Sequence, residues 1–149
     1  MSVRVHHEAE IAALLIAPDR GLAQQFLATL PSGHTIPIDA DRAHNSAPGP
    51  MELLLAALGT CTATDVVAIL AKKRQKLERL EIVITGERAS EIPAVWTKLA
   101  LVYRLYGSLD EKAVRDTIEL SETKYCSVAA MLRKTALISF RYEILPAKV

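Results

Sequence analysis

The chain has 149 residues, 50% hydrophobic and 23% charged, with a formal net charge of +1, a composition that suits one soluble domain with a sizeable core. Near-neutral charge excludes strong electrostatic attraction to nucleic acid, and 5% aromatic residues leave few platforms for stacking single-stranded bases. With only two cysteines the chain is no disulfide scaffold.

The opening MSVRVHHEAEIAALLIA has one arginine and then two glutamates before a short apolar run. That order is not the basic-then-apolar order of a signal peptide, so a cytoplasmic setting is expected. In a reducing compartment the two thiols are expected to be free or redox-active. Residues 2–7 read as a strand and 8–17 as a short helix stopped before Pro18. The run QQFLATLPSGHTIPID reads as two strands around Pro31, Ser32 and Gly33, with His34, Ile36 and Ile38 on one face. Residues 39–49, DADRAHNSAPG, are polar and rich in turn formers, a loop leading into the next element.

Residues 50–73, PMELLLAALGTCTATDVVAILAKK, carry an apolar run too long for a strand and without internal proline. Pro50 suits a first helical turn, where its missing N–H is not needed, and Lys72, Lys73 and Arg74 complement the negative end of the helix dipole. Apolar residues surround almost the whole circumference, which predicts a helix buried on several sides by sheet, or by sheet and a partner subunit. Glu52, Thr60, Thr62, Thr64 and Asp65 interrupt the run, and an acid near mid-bilayer costs about 2.5 kcal/mol or more, so a membrane span is not expected.

Beyond the helix, residues 79–88 alternate with Leu80, Ile82 and Ile84 on one side, and residues 97–106 with Leu99, Leu101, Tyr103 and Leu105. These are half-buried, antiparallel strands. Asp110 caps a helix reaching about Thr123, with Ala113, Val114, Thr117, Ile118 and Leu120 on its inner side. Residues 126–132 form a short turn or helix, and 137–144 a closing strand with Ile138, Phe140, Tyr142 and Ile144 inward. The order of elements gives an α+β fold in a single domain, 1–149.

Chemistry centres on sulfur. A buried cysteine is commonly a small hydrophobe, and that reading stands for either thiol alone. Lys124, two residues before Cys126, is expected to lower that thiol's pKa. Cys61 lies mid-helix, away from the favourable dipole end. Asp65, one turn on and on the same face, would raise its pKa unless a cation lies between them. His6, His7, His34 and His44 show no zinc-like spacing with the cysteines, so no metal is expected, and no dinucleotide, phosphate-loop or nucleophile-elbow motif is present.

The two cysteine segments, PMELLLAALGTCTATDVVAIL and LSETKYCSVAAML, followed by ISFRYEIL, resemble the superfamily of osmotically induced protein C (OsmC) and the organic hydroperoxide resistance proteins. The resemblance covers residues 24–149 and leaves 1–23 as an N-terminal strand with an inserted helix. It implies an OsmC-like α+β fold, with a long central helix buried against antiparallel sheets in an intertwined homodimer. Members with the full site reduce organic hydroperoxides: the helix cysteine becomes a sulfenic acid, the second cysteine resolves it as a disulfide, and a dithiol reductant restores both. By position Cys61 resembles the attacking residue and Cys126 the resolving one. No cofactor is implied, and neither nucleic acid nor membrane is an expected partner.

The match departs from the peroxidase pattern at one point. Those members place a glutamate ten residues before the first cysteine, paired with an upstream arginine; position 51 here is Met51. Glu52 is its neighbour, but nine residues is about 900° of helix, opposite Cys61. The upstream arginines are Arg20 and Arg42. The chain thus resembles a divergent branch in which Asp65 and Lys124, with Glu52 and Arg42, are candidate supports for the two thiols. Three functions are open: a peroxidase for organic hydroperoxides, a dimer that binds a small apolar or thiol ligand at its interface, or a protein whose cysteines only fill the core.

Overall fold

A computed structural model describes residues 4–6 and 24–147; the expected helix over 8–17 and Arg20 lie outside the described residues. The chain divides into two compact units, one running to Leu54 and the other starting at Leu55.

The first unit contains an antiparallel meander of β1 (Arg4–His6), β2 (Gln25–Thr29) and β3 (Thr35–Asp39). The turn foreseen at Pro31, Ser32 and Gly33 is closed by the Gly33 N–H donating to the Leu30 carbonyl (2.9 Å), and Phe26 pairs with Ile38 and Ala28 with Ile36. His34, directly before β3, is exposed, its ring hydrogen-bonded to the Ser32 hydroxyl at 3.0 Å, while Ile36 and Ile38 are half-buried.

At the end of β3 the Asp39 carboxylate organises the adjoining loop. One oxygen accepts the Asp41 N–H (2.9 Å); the other accepts the Ser46 N–H (2.9 Å) and hydroxyl (2.7 Å) and meets His44 Nδ1 (2.7 Å). The Ser46 N–H, then His44 and the Ser46 hydroxyl, hold this carboxyl far below the usual carboxylate range and outweigh its burial. A depressed folded-state pKa means stability present above the ordinary carboxylate value and lost as pH falls towards the folded value. The melting temperature of the wild-type protein is therefore expected to fall from about pH 5 downward more steeply than that of Asp39→Asn. Parallel melting curves for the two would show that Asp39 does not hold the loop.

The long helix, α1 (Pro50–Lys72), begins in this unit, with the Glu52 carboxylate accepting the Gly49 N–H at 2.7 Å. At its other end Arg74 takes φ 56° and Gln75 N–H returns to the Leu70 carbonyl (3.0 Å), a left-handed stop made without glycine.

The second unit is built on a sheet of β4 (Lys76–Arg88), β5 (Trp96–Ser108) and β6 (Leu137–Leu145), with β5 in the middle. The β4–β5 pair is antiparallel, as the alternation predicts; β6 returns parallel to β5 through a crossover of two helices. Those are α2 (Glu111–Leu120), capped by Asp110 accepting the Ala113 N–H at 2.8 Å, and α3 (Ser127–Leu132), joined by a wide π-helical turn over Ser121–Tyr125. Alternation along β5 buries Leu99, Leu101, Tyr103 and Leu105, and Val114 and Ile118 of α2 are buried as well. Leu120, expected inward, is exposed, since the helical period carries the buried stripe through Val114, Thr117, Ile118 and Ser121 and past position 120.

Helix α1 buries one stripe, Leu58, Thr62, Val66 and Leu70, spaced one turn apart. Each apolar member contributes about 1.5–3 kcal/mol by leaving water. Gly59 permits the close approach: a Cβ there would come within 3.1 Å of Ile84 on β4. Within one chain, however, the helix is covered along that stripe and not around its circumference, and Val67 remains 50% exposed.

Candidate active site at the two cysteines

Remote segments deliver the two sulfurs to one place. Cys61 sits on α1 beside the buried stripe, half-buried, while Cys126 is the N-cap of α3, buried, its sulfur accepting the Ala129 N–H at 3.4 Å. The π-helical turn sets Cys126 in position, its N–H reaching back to the Ser121 carbonyl at 2.9 Å. Such turns insert one extra residue into the helical path and re-aim the chain beyond them. The two cysteines lie 3.2 Å apart, both as free thiols.

Burial pushes the Cys126 thiol well above its ordinary pKa; the Ala129 N–H opposes this, while Cys61 and the Glu122 carboxylate add to it. This corrects the expectation that Lys124 lowers it. The Lys124 ammonium instead stands over the Tyr125 ring, 5.5 Å from its centroid. Nor does Lys124 offset Asp65: no ion pair joins them among the described residues, and the Asp65 carboxylate accepts the Ser121 hydroxyl at 2.8 Å. Glu52 serves the helix N-terminus through Gly49, as an acid in a first turn favours. Arg42 is exposed in the loop after β3.

Beneath the thiols lies a buried polar network that sequence patterns alone did not single out. Tyr103 of β5 donates its hydroxyl to Glu122 Oε1 (2.6 Å), and Arg133 Nη2 holds Glu122 Oε2 (2.9 Å). The Glu122 side chain has no exposed surface, against 36% for Arg133. Thr62 meets the Tyr103 hydroxyl (2.7 Å) and the Ser121 hydroxyl (2.9 Å), with Glu122 Oε1 at 3.5 Å marking the limit of a hydrogen bond. Burial, then Glu122, raises the Tyr103 phenol far above its usual range, so it remains a donor. A signal for Glu122 existed: it extends the helical period of Val114, Thr117 and Ile118 onto the buried face. Thr62 likewise falls in register with Leu58 and Val66. Among the described residues no cluster of three or more His, Cys, Asp or Glu could hold a metal.

A long helix carrying a half-buried thiol, a second thiol buried near it and antiparallel strands together define an α+β domain of the OsmC-like kind. Residues 43–141 match the OsmC-like protein family, and the chain belongs to it. It is 42% identical to Protein YhfA of Escherichia coli over 123 residues, which is 82% of this chain and 91% of that one. Its fold superposes on a hypothetical protein from Aquifex aeolicus with TM-score 0.80, at 28% identity and with 99% and 97% of the two chains covered. It also superposes on an organic hydroperoxide resistance protein OsmC from Legionella pneumophila with TM-score 0.68, at 12% identity and with 95% of each chain covered. Helix α1 is long and apolar enough to cross a membrane by length and composition, and it buries the stripe of Leu58, Thr62, Val66 and Leu70.

Proposed function

We propose that the chain is a thiol-dependent reductase of organic hydroperoxides, acting in the cytoplasm as one domain that pairs with a second copy. The observation that carries this reading is the 3.2 Å approach of Cys61 and Cys126. Their unequal settings support the assignment of roles: Cys61 is the more accessible, whereas the raised Cys126 thiol stays protonated at neutral pH and waits. Cys61 thiolate attacks the terminal peroxide oxygen; an S–O bond forms, the O–O bond breaks, and the alkoxide leaves as an alcohol after taking a proton. Cys126 then attacks the Cys61 sulfur, the S–O bond breaks, and water leaves. A dithiol reductant returns both thiols by exchange.

Pairing with a second copy is supported by the uncovered faces of α1 and by a groove of about 530 Å³ between α1 and β4, lined by Leu55, Gly59, Ala63, Val67, Leu80 and Ile82. Apolar surface of this kind is what a homodimer would cover. Mass spectrometry after one equivalent of cumene hydroperoxide is expected to show a Cys61–Cys126 disulfide, two hydrogens lighter than the starting protein. Two thiols left titratable would remove the proposal.

A second reading, an interface that binds a small apolar or thiol ligand without turnover, is favoured by Met51 in place of the family glutamate and by the engagement of Glu52 with Gly49. Protection of Cys61 from alkylation by such a ligand, with peroxide leaving both thiols intact, would select it.

A further inference from the structure

One residue is hydrogen-bonded to both cysteine segments. Ser121 opens the π-helical turn, and its carbonyl accepts the Cys126 N–H at 2.9 Å. Its hydroxyl reaches the other way, to α1, where it meets the Thr62 hydroxyl at 2.9 Å and donates to the Asp65 carboxylate at 2.8 Å. Thr62 is the chain neighbour of Cys61. Two segments remote in sequence are thus joined by one hydroxyl pair and one main-chain hydrogen bond.

Thr62 breaks the chemistry of the stripe it belongs to. The other buried positions of α1 are Leu58, Val66 and Leu70, and a valine at 62 would keep the same shape with no hydroxyl to satisfy. The hydroxyl is matched instead, by Tyr103 of β5 at 2.7 Å and by Ser121, and none of the three residues has exposed surface. Among the described residues, every hydrogen bond from α1 to the segment 121–132 ends on Ser121 or Glu122. Near the far end of α1, Lys73 reaches only α2, at the Ala113 carbonyl (3.2 Å).

We infer that Thr62 and Ser121 are positioning residues, a buried hydroxyl clasp that holds Cys126 against Cys61 so that the disulfide can close. The two cysteines lie 3.2 Å apart. A disulfide bond is about 2.0 Å long, so closure asks for a movement of only roughly 1 Å. Groups held at such range react as if highly concentrated, and misplacing them by about 1 Å can cost about a hundredfold. Neither clasp residue is assigned a contact with sulfur: Thr62 acts through the helix that carries Cys61, and Ser121 through the carbonyl that holds Cys126. The clasp deepens the peroxidase reading and rests on it for its use, because the resolving step is the one that brings the sulfurs together.

A glutathione redox buffer tests the clasp without any peroxide. Glutathione disulfide takes two electrons and two protons from the thiol pair and leaves as two glutathione thiols, and the midpoint gives the effective concentration of one protein thiol for the other. Thr62→Val is expected to lower that concentration about tenfold, and Thr62→Ser, which keeps the hydroxyl, to stay within about threefold of wild type. Ser121→Ala opens the clasp from the opposite side and is expected to give a similar fall, which keeps the test decisive should Thr62→Val fail to fold. The double variant is expected to fall well short of the product of the two single effects, since both remove one shared contact. A role in stability alone would lower the urea midpoints of the reduced and oxidised proteins equally and leave the effective concentration unchanged. A value within about threefold of wild type in either hydroxyl-free variant, an equal fall in Thr62→Ser, or fully multiplicative losses would overturn the inference. In single turnover with cumene hydroperoxide, Thr62→Val is expected to accumulate Cys61 sulfenic acid, and closure as fast as wild type would also overturn it. Should the wild-type protein form no sulfenic acid, the peroxidase reading fails, while the redox buffer still decides whether the clasp sets the approach of the thiols.

Discussion

Cys61→Ser is expected to abolish dithiol-dependent consumption of organic hydroperoxide, a fall of about a thousandfold or more. A serine hydroxyl is not ionised near neutral pH and forms no sulfenic acid, and the remaining sulfur cannot substitute. Cys126 is buried and its thiol raised, so at neutral pH it holds its proton and meets little solvent. The complementary variant separates the two roles. Cys126→Ser is expected to consume one equivalent of peroxide and stop, leaving a Cys61 sulfenic acid that a carbon nucleophile such as dimedone traps. Peroxide loss measured in both variants checks the assignment; continued turnover by Cys61→Ser would transfer the first step elsewhere.

Arg133→Met is expected to destabilise the fold by about 2–4 kcal/mol, because it strands the wholly buried Glu122 carboxylate with hydroxyl partners only. The figure sits below that of a fully enclosed pair because Arg133 is 36% exposed and water screens part of the attraction. Urea unfolding with an unchanged slope measures the loss. Adding Glu122→Gln to Arg133→Met should recover much of it, since removing both charges costs less than isolating one. A loss under about 0.5 kcal/mol in the single variant would mean that solvent reaches Glu122.

The corrections share a physical origin. Lys124 and Cys126 are two residues apart, a spacing that suggests electrostatic contact, yet a side chain's direction depends on the backbone between. The π-helical turn caps Cys126 into the core and leaves the Lys124 ammonium outside, over Tyr125. Asp65 does lie on the face of Cys61, but a hydroxyl from a different element claims its carboxylate. Neither outcome is encoded in spacing along one helix.

Local rules sufficed for the elements themselves. The period of 50–73 and its proline start, the alternations at 79–88 and 97–106, the Asp110 cap and the turn at Pro31 to Gly33 each reflect interactions among near neighbours in the chain, and each element stands where those rules put it. The two cysteine segments, with the closing strand, were also enough to indicate the OsmC-like family. Tertiary structure alone decided that β6 would run parallel to β5, that α1 would bury a single stripe within one chain, and that Glu122, Tyr103, Thr62, Ser121 and Arg133 would converge. Those members come from a helix, a strand, a turn and the end of a second helix. Burial and hydrogen bonding between distant segments are set when the core closes, and nothing in the local pattern of any one segment specifies its partners.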